Sequence, residues 1–145
     1  MKKQILLSFA FIFSMCMFFA AVTEHRWEDW YITFRASKNL ALGNGLVFNV
    51  GERLMTYTSP LGTLMPALVK FLFKNSSDEI AIWGYRILCG LVLASSSFFL
   101  DRIFTKLNLQ RGFYFIAVFL FSFNFLVIDN TINGMESALD RKSVV

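Results

Sequence analysis

Residues 24–61 read EHRWEDWYITFRASKNLALGNGLVFNVGERLMTYTSPL, and this stretch decides the fold because it is the one polar, chemically equipped segment of a very apolar chain. The acidic pair Glu28-Asp29 opens a helical run, where carboxylates meet the orphan N–H groups and the positive end of the dipole. Trp30, Tyr31, Phe34 and Leu40 or Ala41 recur at spacings of three and four, while Arg35, Ser37, Lys38 and Asn39 supply a polar side. An amphipathic helix over about 29–42 is therefore expected, ended by Gly43 as a left-handed residue. Leu46-Val-Phe-Asn49 reads as short and extended, Asn49-Val-Gly-Glu52 as a turn, and Ser59-Pro60 as a strong helix start.

Hydrophobic segments flank this stretch on both sides. The chain has 145 residues, of which 56% are hydrophobic, 17% are charged and 18 are Phe, and its mean hydropathy is +0.54. An ordinary soluble domain has about 25% charge, so a membrane protein is expected instead. Residues 5–22 form an apolar run behind Lys2 and Lys3. A cleaved leader would look similar, with Ala20 and Ala21 near a cleavage point. The run exceeds the roughly 7–15 residues of a leader core, and two further spans follow, over about 80–100 and 112–128. An uncleaved first helix is the expectation. Residues 60–74 are apolar but short, interrupted by Pro66 and carrying Lys70 and Lys74 one turn apart, which suits an interfacial helix. The fold expected is thus all-α and integral to the membrane, with three transmembrane helices and an extracytoplasmic first loop.

Basic residues set the orientation. Lys2 and Lys3, together with the 101–111 connection carrying Arg102, Lys106 and Arg111, are the dense basic pieces, whereas the charges of 23–79 balance. Short basic loops stay in the cytoplasm. The N-terminus is then inside a cytoplasmic membrane, and 24–77 and 129–139 share its outer face. The net charge of +4 is scattered and forms no basic face, so no nucleic-acid partner is expected. Cys16 and Cys89 both lie in apolar runs and read as small core residues. The last six residues, DRKSVV at 140–145, match what a widely used sequencing adapter encodes in one frame, and are expected to be an assembly artefact. Residues 1–139 would then be the N-terminal part of a longer protein, inactive alone.

Few residues can carry chemistry. Glu28-Asp29 reads either as helix N-terminal charge or as a general base with a neighbouring acid, a pair that could also hold a divalent cation. Arg86, inside the second span, either marks a functional site or snorkels to the outer interface, and in either case a guanidinium there could meet a lipid phosphate. Glu136 reads as a solvated carboxylate or as a member of the same outer-face site. His25 is the one histidine and makes a weak case for a metal. No serine–histidine–acid order, phosphate-cradling Gly loop or Cys/His ligand spacing occurs.

Five motifs follow in one order: Glu28-Asp-Trp-Tyr-Ile-Thr-Phe-Arg35, Asn39-Leu-Ala-Leu-Gly-Asn-Gly-Leu-Val-Phe-Asn49, Gly51-Glu-Arg53, Tyr57-Thr-Ser-Pro-Leu61 and Gly134-Met-Glu-Ser137. The series resembles the GT-C membrane glycosyltransferases, most closely the branch containing the mycobacterial terminal arabinofuranosyltransferases. Trp30 stands where that family usually has Ala, Val50 where it has a turn proline, and Thr56 and Gly62 where it has Gly and Trp. The resemblance implies transfer of a sugar, a pentofuranose in that branch, from a polyprenyl-phosphate donor to a glycan or other extracytoplasmic acceptor, with inversion. It implies Asp29 as the catalytic carboxylate, with Glu28, Arg35, Tyr57, Arg86 and Glu136 around the substrates. Glu136 is then expected about 10–12 Å from Asp29, roughly one helix diameter. A second reading, from another class, is a small non-enzymatic membrane protein whose outer loop binds a partner.

Overall fold

The computed structural model describes residues 2–52, 60–73 and 77–133, with the backbone alone for Lys2 and Asp29. Seven helices carry the described residues: α1 (Lys2–Thr23), α2 (Glu28–Ala41), α3 (Pro60–Leu72), α4 (Asp78–Ala94), α5 (Ser96–Lys106), α6 (Arg111–Ser122) and α7 (Phe125–Ile132). No strand occurs among them. Lys3–Thr23, at 21 residues, and Asp78–Lys106, at 29, are long and apolar enough to cross a membrane, and the bent pair α6–α7 makes a third if it counts as one span. These apolar helices mark a membrane protein.

The chain divides into two compact units, one of residues 1–24 and 87–132, the other of 25–86 and 133 onward. In the first, α1 packs on α5, α6 and α7, and α5 packs on α6. The buried face of α1 is Ser8, Ile12, Cys16 and Ala20, one residue every four, while Leu6, Leu7, Phe11, Phe18 and Val22 point outward. Small residues inside and large apolar ones outside invert the order of a soluble core. Lipid tails accept the outer face without penalty, and small side chains let helices approach closely. At Gly90 an added Cβ would come within 2.9 Å of Met17 Cε, so that approach is close indeed. Cys16 and Cys89 are both free and buried, as the sequence suggests.

Two expectations about the spans need correction. The second span does not stop at residue 100 but runs on to Lys106. Asp101, expected in a polar connection, is buried within the helix because Arg111 pairs with it, and the connection shrinks to 107–110. The third span, expected as one helix over 112–128, is two helices bent by 56°. The cause is local chemistry at Asn124, whose Oδ1 accepts from Val127 N–H at 3.2 Å. That is an N-cap, which starts a new helix rather than continuing the old one.

In the second unit α2 packs along α3. Its buried face is Trp30, Thr33, Phe34, Ala36, Ser37 and Ala41, which departs in part from the expected stripe. Tyr31, expected on the apolar side, is 55% exposed, and Ser37, expected on the polar side, is fully buried. Ser37 goes inside because its hydroxyl meets two carbonyl oxygens, of Thr33 and Thr63, each at 2.8 Å. A small hydrogen-bonded residue there lets α3 come close. At 13 residues α3 is too short to cross, and Leu61, Leu64, Leu68 and Phe71 form an exposed apolar stripe on it.

The end of α2 follows from its glycine. Gly43 has φ +85°, Gly43 N–H donates to Leu40 O and Asn44 N–H to Asn39 O, both at 3.0 Å. This paired closure satisfies two carbonyls that a helix end leaves orphaned. Beyond it, Asn39 Nδ2 donates to the carbonyls of Val47 and Phe48, both at 2.9 Å, tying 46–49 back onto α2. In the next turn Glu52 N–H donates to Asn49 O at 3.2 Å, with Gly51 at φ +94°. A positive φ at the third residue makes this a type II turn, whose second position, Val50, favours proline. Val50→Pro is expected to stabilise the chain by about 0.4–1 kcal/mol by restricting the unfolded state. A lower thermal midpoint for that variant in detergent would show the turn to be of another kind.

Candidate functional site

The polar residues gather where α2 begins. Glu28 is its first residue, and Trp27, the capping position, makes no side-chain cap bond. The acidic pair therefore occupies the first turn of the helix, at the positive end of its dipole. Asp29 is its second residue, and Glu28 is exposed. A cleft of about 440 Å³ lies here, lined by His25, Arg26, Trp27 and Glu28. The His25 and Trp27 rings meet edge to face, with centroids 4.8 Å apart.

Arg86 is the best-buried charge near this point, at 1% exposure. Its Nη2 donates to His25 O at 2.7 Å and to Asn133 Oδ1 at 3.0 Å, and its guanidinium lies 5.1 Å from the Trp83 ring centre. Both of these acceptors belong to the protein itself. Asn133 in turn accepts from Trp27 N–H through its backbone oxygen, at 3.4 Å. One asparagine thus holds both Arg86 and the residue before Glu28.

Ion pairs brace the surroundings. Arg26 Nη2 meets Glu79 Oε2 at 2.6 Å, and the Glu79 carboxylate raises the Arg26 pKa further above its ordinary value. Asp78 receives Lys38 at 2.7 Å and the buried Lys70 at 3.0 Å, joining α2, α3 and α4. Lys70, read from sequence as an interfacial marker, is instead a buried tie. Arg35 is exposed, donates to Asn49 Oδ1 at 2.9 Å and stacks 4.5 Å from the Phe48 ring centre. Trp30 packs on Tyr85 with centroids 4.5 Å apart, closing the floor beneath the start of α2.

Of the six residues singled out from sequence, Glu28, Asp29 and Arg86 belong to the segments meeting here, and Arg35 stands two turns along α2. Tyr57 and Glu136 lie outside the described residues, and so does the expected Asp29–Glu136 distance. Asn133, which directly precedes the Gly134-Met-Glu-Ser137 motif, does reach Trp27. Sequence reasoning missed Asn133 and Asp78 as partners, although the first stood beside a quoted motif. Among the described residues no three His, Cys, Asp or Glu side chains are grouped to hold a metal ion.

No protein-family model matches the chain, and no solved structure does. Over 56 residues, 39% of the chain, it is 39% identical to a terminal beta-(1->2)-arabinofuranosyltransferase of Corynebacterium glutamicum. The match covers 8% of that protein, so the chain corresponds to a small part of its relative. Glycosyltransferases are therefore the class of protein to which the chain is similar.

Proposed function

We propose that the chain is the N-terminal part of a membrane glycosyltransferase of the GT-C type. In this reading it transfers a sugar, a pentofuranose, from a polyprenyl-phosphate donor to an acceptor outside the cytoplasmic membrane. The observation that carries it is the 39% identity over 56 residues to an arabinofuranosyltransferase. The apolar helices agree with a donor that lives in lipid.

The chemistry needs a base and a cation. Asp29 takes the proton from the acceptor hydroxyl as its oxygen attacks the anomeric carbon. The bond from that carbon to the lipid phosphate breaks with its electron pair on the phosphate oxygen, so the sugar inverts. The leaving group is already a stable anion and calls for positive charge rather than an acid. Arg35 is the exposed guanidinium for that role, about 9 Å along the helix from Asp29 at 1.5 Å per residue. Glu28 orients the acceptor or helps to hold a divalent cation, and Tyr57 and Glu136 take part in binding the substrates.

The full-length protein in membranes should move radiolabelled arabinofuranose from its synthetic polyprenyl phosphate into extracytoplasmic glycan. Well-inserted protein that leaves this donor untouched would refute the assignment of donor. Reporter fusions at Asn44 should read outside and at Lys106 inside. The reverse pattern would place the acidic pair in the cytoplasm, where the proposed acceptor is absent.

A further inference from the structure

We infer that Asn133 and Arg86 are positioning residues: they fix the start of α2, and so the Asp29 backbone, without touching substrate. This rests on the reading of Asp29 as the base. Arg86 brings one nitrogen, Nη2, to His25 O at 2.7 Å and Asn133 Oδ1 at 3.0 Å. Asn133 adds its own carbonyl to Trp27 N–H at 3.4 Å. Residues 25 and 27 are thereby held on both sides of Arg26, immediately before Glu28 and Asp29. Because the capping position Trp27 supplies no side-chain bond to the helix, the direction in which the first turn leaves is set from outside it.

Both members suit the task. Asn133 is 3% exposed and Arg86 1%, so neither offers its face to a ligand in the cleft. A guanidinium is always charged and holds its donors in a rigid plane, which lysine cannot copy. Asn133 also sits one residue before Gly134. The pair therefore sets the direction of α2 by a single link. Placing a catalytic carboxylate within a fraction of an ångström matters, since a shift of about 1 Å costs on the order of 10²-fold in rate.

Kinetics on the full-length protein in membranes, with synthetic polyprenyl-phosphate arabinofuranose as donor, separate positioning from binding. Asn133→Leu keeps the size and loses the acceptor; kcat should fall by about 10²-fold with KM for the donor unchanged. Asn133→Asp, which restores an acceptor for Arg86, should recover activity to within a few-fold of wild type. Hydrogen exchange of the amides at 25–31 should quicken in Asn133→Leu and not in Asn133→Asp. If Asn133→Leu fails to insert, Arg86→Lys takes its place with the same expected drop in kcat. A kcat within a few-fold of wild type in Asn133→Leu, or a loss seen wholly in KM, overturns the inference. Asp29→Asn, assayed alongside, keeps the two ideas apart: its full activity would sink the base assignment, while the Asn133 result is still scored by kcat and exchange.

Discussion

Asp29→Asn in the full-length protein is expected to lower sugar transfer by about 10²–10⁴-fold, the usual worth of a positioned general base. The substitution keeps shape and polarity at the second residue of α2, and removes only the ability to take a proton. Expression and membrane insertion should stay at wild-type levels, because Asn is nearly isosteric with Asp. The drop should appear in kcat, since the proton moves in the transition state and not on binding. Activity within a few-fold of wild type would shift the base to Glu28 or Glu136, and Glu28→Gln would then carry the loss. Total loss of inserted protein would instead make Asp29 a folding residue.

Gly84→Leu is the substitution expected to damage the fold most. A Cβ at Gly84 would stand 2.5 Å from Val69 Cγ1, far inside contact distance. Val69 is buried and β-branched, with a stiff χ1, so its methyl cannot swing aside cheaply. Gly84→Ala should therefore cost about 1–3 kcal/mol, and the longer leucine more, seen as a lower thermal midpoint in detergent and less inserted protein. Val69→Ala in the same chain should recover most of the loss in Gly84→Ala, because it removes the colliding methyl. A Gly84→Ala variant as stable as wild type would mean that α3 and α4 are not packed this closely there.

What could be read from the sequence was what local chemistry decides. Gly43 closes α2 and Gly51 makes the turn because only glycine takes those backbone angles freely. Pro60 begins α3, and the two cysteines are buried, each a matter of a few neighbouring residues. What could not be read was decided at a distance. Ser37 is a core residue because Thr63, 26 positions later, offers its carbonyl. Asp101 stays helical because Arg111 neutralises it. Asn124 was legible in principle as a cap, but an average over an apolar run of phenylalanines hides one polar residue. Arg86 stood out as a costly charge, yet its acceptors, 61 residues before it and 47 after, have no local signature. The candidate site shares this division. Asp29 and Glu28 mark themselves by being an acidic pair among aromatic residues, whereas Tyr57 and Glu136 rest on the order of motifs alone.

The Arg86 link also imposes a schedule on biosynthesis. His25 has already left the ribosome when Arg86 is made, but Asn133 is 47 residues away. At about 5–20 residues per second the helix carrying this guanidinium spends roughly 2–9 s beside the insertion machinery before its side-chain acceptor exists. Through that interval the His25 carbonyl is the acceptor already in hand. The link through the Asn133 side chain is thus closed only late in synthesis, after the helix that carries Arg86 is complete. Pulling-force or arrest-peptide measurements along the nascent chain should register a late gain as residue 133 emerges.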